Sequence, residues 1–165
     1  MEPPSTDLRQ PPLCYAALKA LLEQYGPPGS EWRGPAYYFP ANLPRSANSV
    51  LISEANIQLL QRQPNFSWFT IPSDTQPCVA TVEDGQAVAI CFSSRTSQHA
   101  AEAGVETLEA FRRRGYATAA VAGWAAAVRE LGRIPLYSTS WDNLASQGVA
   151  RRLGLVCYGE DVSLE

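Results

Sequence analysis

The period of the apolar positions changes several times along the chain, and each change predicts a new element. Cys14, Ala17, Leu18, Leu21, Leu22 and Tyr25 recur at helical spacing, and Gly26-Pro27-Pro28 supplies the stop. Residues 27–47 are rich in Pro and Gly around the aromatic run Tyr37-Tyr38-Phe39, which predicts irregular chain with at most one short strand. Ser49–Ile52 reads as a strand. Ser53 can then cap a short helix to about Arg62, with Ile57, Leu60 and Gln61 along it.

Strand patterns begin at residue 78. Cys78–Glu83 and Gln86–Ser93 read as a hairpin about Asp84-Gly85, because both turn positions accept positive φ. A polar turn at Arg95–Gln98 leads to a third strand, Ala103–Leu108. Tyr116, Ala119, Ala120, Gly123, Trp124, Ala127, Val128 and Leu131 then form an apolar helical stripe. The opposite side is also largely alanine, so this helix is expected to be buried on much of its circumference, with Gly132 ending it. Ile134–Thr139 is a short strand, and Asp142 or Asn143 caps a last helix that carries Val149 and Leu153 and stops at Gly154. Leu155–Leu164 reads as a final strand. Strand, helix, strand over 103–139 implies a right-handed crossover between parallel neighbours, whereas the hairpin implies antiparallel ones. The fold class is therefore α/β, with a mixed sheet and helices on its faces.

Composition narrows the function. The chain has 165 residues, 45% hydrophobic and 18% charged, which suits one folded domain over 12–165 behind a loose tail at 1–11. A net charge of −3 gives no overall field toward nucleic acid. The cysteines at 14, 78, 91 and 157 form no CxxC pair, and with a single histidine they predict no metal site. Cys78 and Cys91 lie in apolar runs and read as inert core thiols. The opening residues carry neither a signal-peptide stretch nor a lipidation motif, and no run reaches membrane-spanning length. A cytoplasmic, reduced protein without membrane attachment is the expectation.

The segment Arg112-Arg113-Arg114-Gly115-Tyr116-Ala117 carries the clearest chemistry. It joins a strand to the long helix, whose first turn has unpaired N–H groups and a partial positive charge. A diphosphate placed there meets donors and favourable potential together. Gly115 and Ala117 keep the approach open, and the arginines add charge. The same residues also suit a plain basic surface loop. The spacings of a P-loop and of a dinucleotide fingerprint are both absent.

Arg112-x-x-Gly115-x-Ala117 resembles the Q/R-x-x-G-x-G/A motif of the GCN5-related N-acetyltransferase (GNAT) superfamily. Asn143-Leu-Ala-Ser146, continuing to Ala150-Arg151-Arg152-Leu153-Gly154-Leu155, resembles that family's NxxAxxxYxxxGF helix. The likeness spans about 78–160, and Leu136–Asn143 looks like a bacterial branch. The resemblance implies two splayed parallel strands, Ala103–Leu108 and Leu136–Thr139, that admit the pantetheine arm of acetyl-CoA. It implies that Arg112, Arg113, Arg114, Gly115, Tyr116, Ala117 and Thr118 surround the coenzyme A pyrophosphate. The backbone of Thr107 and Leu108 would bond the arm like an added strand, and a main-chain N–H near Leu108 would face the reacting carbonyl oxygen. Asn143 and Ser146 would reach the cofactor from the last helix, though Asn143 is equally a plain N-cap and Ser146 an ordinary exposed serine.

The activity so implied is N-acetylation of an amine by direct attack. An amine of pKa near ~10.4 is less than about one part in a thousand neutral at pH 7, so a base helps. Glu102 and Glu106 are the candidates on the third strand, and a solvated strand carboxylate is the alternative for each. Being four apart, they share a face opposite Thr107 unless a bulge intervenes. Glu102 is favoured because it lies further from the pyrophosphate loop. The family's acid tyrosine falls at Ala150, leaving Tyr137, Ser138, Ser140, a water or unassisted departure of the thiolate. His99 reads as solvent-exposed and Trp124 as core. Trp141 and the aromatics Trp32, Tyr37, Tyr38 and Phe39 are either acceptor-site walls or core. A small-molecule or peptide amine is the expected acceptor. A homodimer is left open, because the family often has two strands after Gly154 and a partner could complete the edge. A non-catalytic acyl-CoA-binding module and an interaction domain of the same fold are the competing readings.

Overall fold

The computed structural model describes residues 7, 9–11, 14–26, 30–43, 48–71 and 74–164. Its elements are α1 (Tyr15–Leu22), β1 (Glu31–Tyr38), β2 (Ser49–Leu51), α2 (Gln58–Gln61), β3 (Cys78–Glu83), β4 (Gln86–Thr96), β5 (Ala100–Thr107), α3 (Tyr116–Glu130), β6 (Ile134–Ser138), α4 (Leu144–Arg152) and β7 (Val156–Leu164). The loose tail expected at 1–11 falls mostly on residues outside those described.

The strands form one mixed sheet of seven in the order β2-β3-β4-β5-β6-β1-β7. The β3–β4 hairpin turns where its chemistry predicts, with Asp84 and Gly85 at φ 48° and 75°. Beyond it, β4 runs on to Thr96 and β5 starts at Ala100, so Arg95 lies in a strand and not in the expected turn. Helix α2 is shorter than expected, and its cap geometry differs: the Asn56 side chain, not Ser53, closes the preceding turn by accepting from the Ser53 N–H at 2.8 Å.

The largest departure is β1. An eight-residue strand occupies the segment expected to be irregular, and it lies between β6 and β7, antiparallel to both. Its Pro and Gly answer tertiary demands. A Cβ on Gly34 would stand 1.7 Å from the Thr139 carbonyl oxygen, so only glycine fits the crossing. Pro35 lies just past the last β1–β6 pair, Ala36↔Ser138, where its missing N–H leaves no ladder bond unmade. Arg129 then clamps the chain after β1, donating to the carbonyls of Phe39, Pro40 and Ala41 at 3.0, 2.7 and 3.0 Å. Arg33 reaches Glu160 on β7 at 2.7 Å. One side of β7 is thus paired to this chain's own β1, and its other side is an edge of the sheet.

Helix α3 covers one face of the sheet. Ala120, Val121, Trp124, Ala125 and Val128 are fully buried against Val79, Cys91, Ala101, Ala103 and Tyr137. The buried stripe is rotated from the expected one, because alanine on every side makes the pattern degenerate; Leu131, placed on it by spacing, is 60% exposed. The Trp124 indole N–H donates to Ser93 Oγ at 3.2 Å inside this core. The other face packs Ile52, Leu60, Phe66, Phe69, Cys78, Ala80 and Ile90. Burial pushes the Cys78 thiol up to about 12, and raises Cys91 well above its usual range, as expected of inert thiols. Helix α1 keeps its predicted period, but its Leu18, Leu21 and Leu22 stay exposed.

Candidate active site

Strands β5 and β6 pair in parallel at only three positions, Ala100↔Ile134, Ala101↔Pro135 and Glu102↔Leu136. Beyond Glu102, β5 continues to Thr107 bonded to β4 alone, so one of its edges opens onto a gap. Main-chain groups alternate in direction along a strand. Leu108 donates its N–H to the Val88 carbonyl at 2.9 Å, toward β4, whereas the His99 carbonyl accepts from Ile134 toward β6. The residues whose main chain faces the gap are therefore Ala103, Val105 and Thr107. Leu108 is turned away, which corrects the expectation of a free N–H there. Val105 was missed in the sequence, although the two-residue period that selects Thr107 selects it as well.

The end of β5 leads through a short 3₁₀ turn, Glu109–Phe111, into the basic loop and α3. Arg113 and Gly115 both have positive φ, 62° and 90°, the kind of backbone turn from which concavities of main-chain N–H groups are built. Among the described residues no acceptor meets the N–H groups of Arg113 through Thr118, and the first helical bond runs from Ala119 to the Gly115 carbonyl at 3.1 Å. Thr118 Oγ1 is buried without a partner in the same first turn. A Cβ on Gly115 would touch nothing, so glycine serves the backbone angle there and not a close contact within the chain. Helix and sheet are locked at this end, as Thr81 Oγ1 donates to the Tyr116 carbonyl at 3.0 Å.

The three arginines divide. Arg112 and Arg113 are exposed, and neither has an acidic partner among the described residues. Arg114 lies over the rings of Phe111 and Tyr116 at 5.5 and 5.3 Å, with Glu83 3.6 Å away. An open cradle of main-chain donors flanked by two free guanidinium groups fits a diphosphate.

On the opposite face of β5, Glu102, Gly104 and Glu106 project in a row. The strand's bulge falls on β4 between Ser93 and Arg95, so the parity of β5 is kept and Thr107 points the other way. The Phe92 ring lies over Gly104, where a Cβ would stand 2.7 Å from it, and so occupies the space between the two carboxylates. Trp68 packs edge-on to Phe92 at 5.1 Å. Glu102 is committed: Arg95 donates to it at 3.0 Å and bridges on to Asp161, and Ser138 Oγ donates to its other oxygen. Among the described residues Glu106 has no ion pair, and burial raises its pKa above the usual carboxylate value.

Asn143 caps α4, accepting from the Ser146 N–H at 3.0 Å. Ser146 Oγ lies 2.5 Å from the Tyr137 hydroxyl. Ala150, one turn on, is fully buried in the core. The aromatics of β1 separate: Phe39 packs on Trp124, Tyr37 on Tyr137, and Tyr38 on Tyr158. Trp141 donates its indole N–H to Glu160 at 2.8 Å, and His99 is exposed. Among the described residues no cluster of His, Cys, Asp or Glu could hold a metal, and no helix is long and apolar enough to cross a membrane.

A mixed sheet with two splayed parallel strands, and a helix whose first turn opens a donor-lined loop beside the splay, defines a recognised architecture. The sequence profile of the GNAT acetyltransferase family matches residues 76–160, and the chain belongs to that family. Solved structures of the same fold include a GNAT-family protein from Novosphingobium aromaticivorans DSM 12444, with 16% identity and a TM-score of 0.64 over 84% of this chain and 65% of that one. A GCN5-related N-acetyltransferase-like protein from Streptococcus suis 89/1591 has 19% identity and a TM-score of 0.62 over 90% of this chain and 67% of that one. AAC(6')-Iy in complex with the bisubstrate analogue CoA-S-monomethyl-acetylneamine has 19% identity and a TM-score of 0.50 over 64% of this chain and 88% of that one. The chain spans about two thirds of the length of the first two. No curated protein sequence matches it.

Proposed function

We propose that the chain is an N-acetyltransferase that takes its acetyl group from acetyl-CoA and passes it to an amine. The reading rests on one observation: the uninterrupted run of free N–H groups from Arg113 to Thr118 opens beside the unpaired edge of β5. Arg112, Arg113 and the N–H groups through Thr118 would hold the pyrophosphate, with Gly115 and Ala117 keeping the cradle open and Arg114 braced at its side. Thr107 and Val105 would bond the pantetheine arm as a neighbouring strand does. Asn143 would border the arm from the start of α4. When bound, acetyl-CoA supplies an already activated acyl group.

The chain's own contribution is to orient that group and take up a proton. Glu106 is the better base of the two glutamates, since Glu102 is already shared between Arg95 and Ser138. A carboxylate with a raised pKa accepts a proton from an amine more readily than an ordinary one. The acceptor would approach past Phe92 and Trp68 toward Glu106, with Glu102 and Asp161 held by Arg95 to one side.

The test is calorimetric titration with coenzyme A, followed by detection of free thiol with a panel of small amines and peptides. Saturable binding with thiol release supports the reading. Binding without release reduces the chain to a cofactor-binding module, and no binding removes the reading.

A further inference from the structure

We propose that Glu102 is a positioning residue that pins the narrow end of the gap between β5 and β6, and that the pin restricts the acyl group carried by coenzyme A to a short one. The inference rests on the acyl-CoA reading above and names the class of donor that the site would take. It starts from how the sheet divides. Past the Glu102↔Leu136 pair, β5 stays bonded to β4, while β6 stays bonded to β1 through Leu136, Tyr137 and Ser138. The sheet thus splits into one half of β2, β3, β4 and β5 and another of β6, β1 and β7, joined along their ladder by three pairs.

Side-chain bridges cross the same divide on one face. Ser138, two residues beyond the last pair, donates its hydroxyl to Glu102 Oε1. Arg95 on β4 donates to Glu102 Oε2 at 3.0 Å and to Asp161 on β7 at 2.5 Å. One carboxylate therefore holds a hydroxyl of the far half with one oxygen and a guanidinium of its own half with the other. That guanidinium reaches across to the far half again. The Glu102 side chain is only 18% exposed, which shelters these charge-assisted bonds from water. Past the last ladder bond the backbone no longer fixes how far β5 and β6 diverge, so the side-chain bonds set it.

The donor cradle lies beyond the wide end of the gap, because the chain runs from Thr107 through Glu109–Phe111 into it. A pantetheine arm that leaves the cradle and bonds first to Thr107 and then to Val105 runs back along β5 toward Glu102. Its acyl group points at the converging end, where each added methylene brings the tail closer to the pin. An apolar tail pressed against Glu102 and Arg95 would also strip water from two charges.

The experiment measures binding of acetyl-, butanoyl- and hexanoyl-CoA by calorimetry, without an acceptor amine, for the wild type and for S138A, E102A and E102Q. One methylene too many in a closed site changes affinity by about 10- to 200-fold. The wild type is expected to bind hexanoyl-CoA at least about tenfold more weakly than acetyl-CoA. S138A and E102A cut the same bridge, and each is expected to narrow that ratio at least about threefold. E102Q offers the Ser138 hydroxyl a partner in either orientation of its amide and is expected to keep the ratio. A glutamate that merely added stability would lower the melting temperature of E102A and leave the ratio alone. S138A protein with the wild-type ratio overturns the proposal, even if E102A does not fold. Wild-type protein that binds acetyl- and hexanoyl-CoA equally also overturns it and leaves the acyl-CoA reading standing. Wild-type protein that binds no form of coenzyme A removes that reading, and this inference falls with it.

Discussion

Arg95 Nη2 lies 2.7 Å from the Glu102 carboxylate across the β4–β5 ladder, and the same guanidinium meets Asp161 on β7 at 2.5 Å. Four residues along the same strand, Glu106 has no ion pair among the described residues, and burial raises its pKa. The sequence favours Glu102, whereas these contacts tie that carboxylate up and make Glu106 the proposed base.

Glu106→Gln is therefore expected to lower kcat/KM by about 10²- to 10⁴-fold, the range of a lost general base, with coenzyme A affinity unchanged. Glu102→Gln is expected to reduce the melting temperature slightly and activity little, since a partly exposed pair contributes about 0–1 kcal/mol. Steady-state kinetics with both variants checks this, and equal losses would reverse the ranking.

Burial raises the Glu106 pKa, and the base must be deprotonated to act. The acid limb of the kcat/KM profile should lie above the ordinary glutamate value of about 4.3. The linkage to stability has the opposite sense. A carboxyl that holds its proton more tightly when folded favours the fold at low pH, and that contribution is lost as pH rises from the ordinary value through the raised one. Glu106→Gln should remove this fall, as denaturant melts across acidic pH would show.

Gly115 sits at φ 90° in open space. Gly115→Ala should lower stability by roughly 1–2 kcal/mol through the backbone angle alone. Gly115→Glu carries the same angle cost and also places a negative charge among the free donors. Coenzyme A affinity should fall at least about tenfold further in the glutamate variant than in the alanine one, since about 1.4 kcal/mol of added repulsion suffices. Calorimetry on both separates strain from charge.

Gly34→Ala would drive a Cβ into the Thr139 carbonyl. Overpacking against backbone costs about 3 kcal/mol or more, which lowers the melting temperature by roughly 6–12 °C in a chain of this size. A melt within about 2 °C of wild type would mean that β1 crosses β6 less closely than described.

Ser93→Ala leaves the buried Trp124 indole N–H without its acceptor. The expected loss is about 1–3 kcal/mol, larger than the net value of the bond, because the donor stays buried. Chemical denaturation followed by tryptophan fluorescence measures it.

What the sequence revealed and what it hid divide along physical lines. The Asp84-Gly85 turn, the α3 stop at Gly132 and the Asn143 cap are written in neighbouring residues, and they were legible. So was the donor loop, because free N–H groups follow from any helix start after Arg112-Arg113-Arg114-Gly115. Strand β1 was not, since Gly34 and Pro35 answer to Thr139, more than a hundred residues away, and in isolation they read as breakers. The choice between Glu102 and Glu106 was equally hidden. It is made by Arg95 and Asp161, which become neighbours only once β4, β5 and β7 share a sheet side. The outward turn of Leu108 depends on which edge of β5 is bonded, a property of the ladder and not of the residue.

Because β1 separates β6 from β7 and runs against both, the last strand of the chain has no template until one of the first has been captured. A ribosome releases residues 31–38 long before residues 156–164, so the early segment must wait, unpaired, for β6 to emerge. β7 is thus joined to the rest of the sheet only through β1, a strand more than a hundred residues earlier. A nascent chain arrested before β6 should leave that segment open to protease, and extension through β6 should close it.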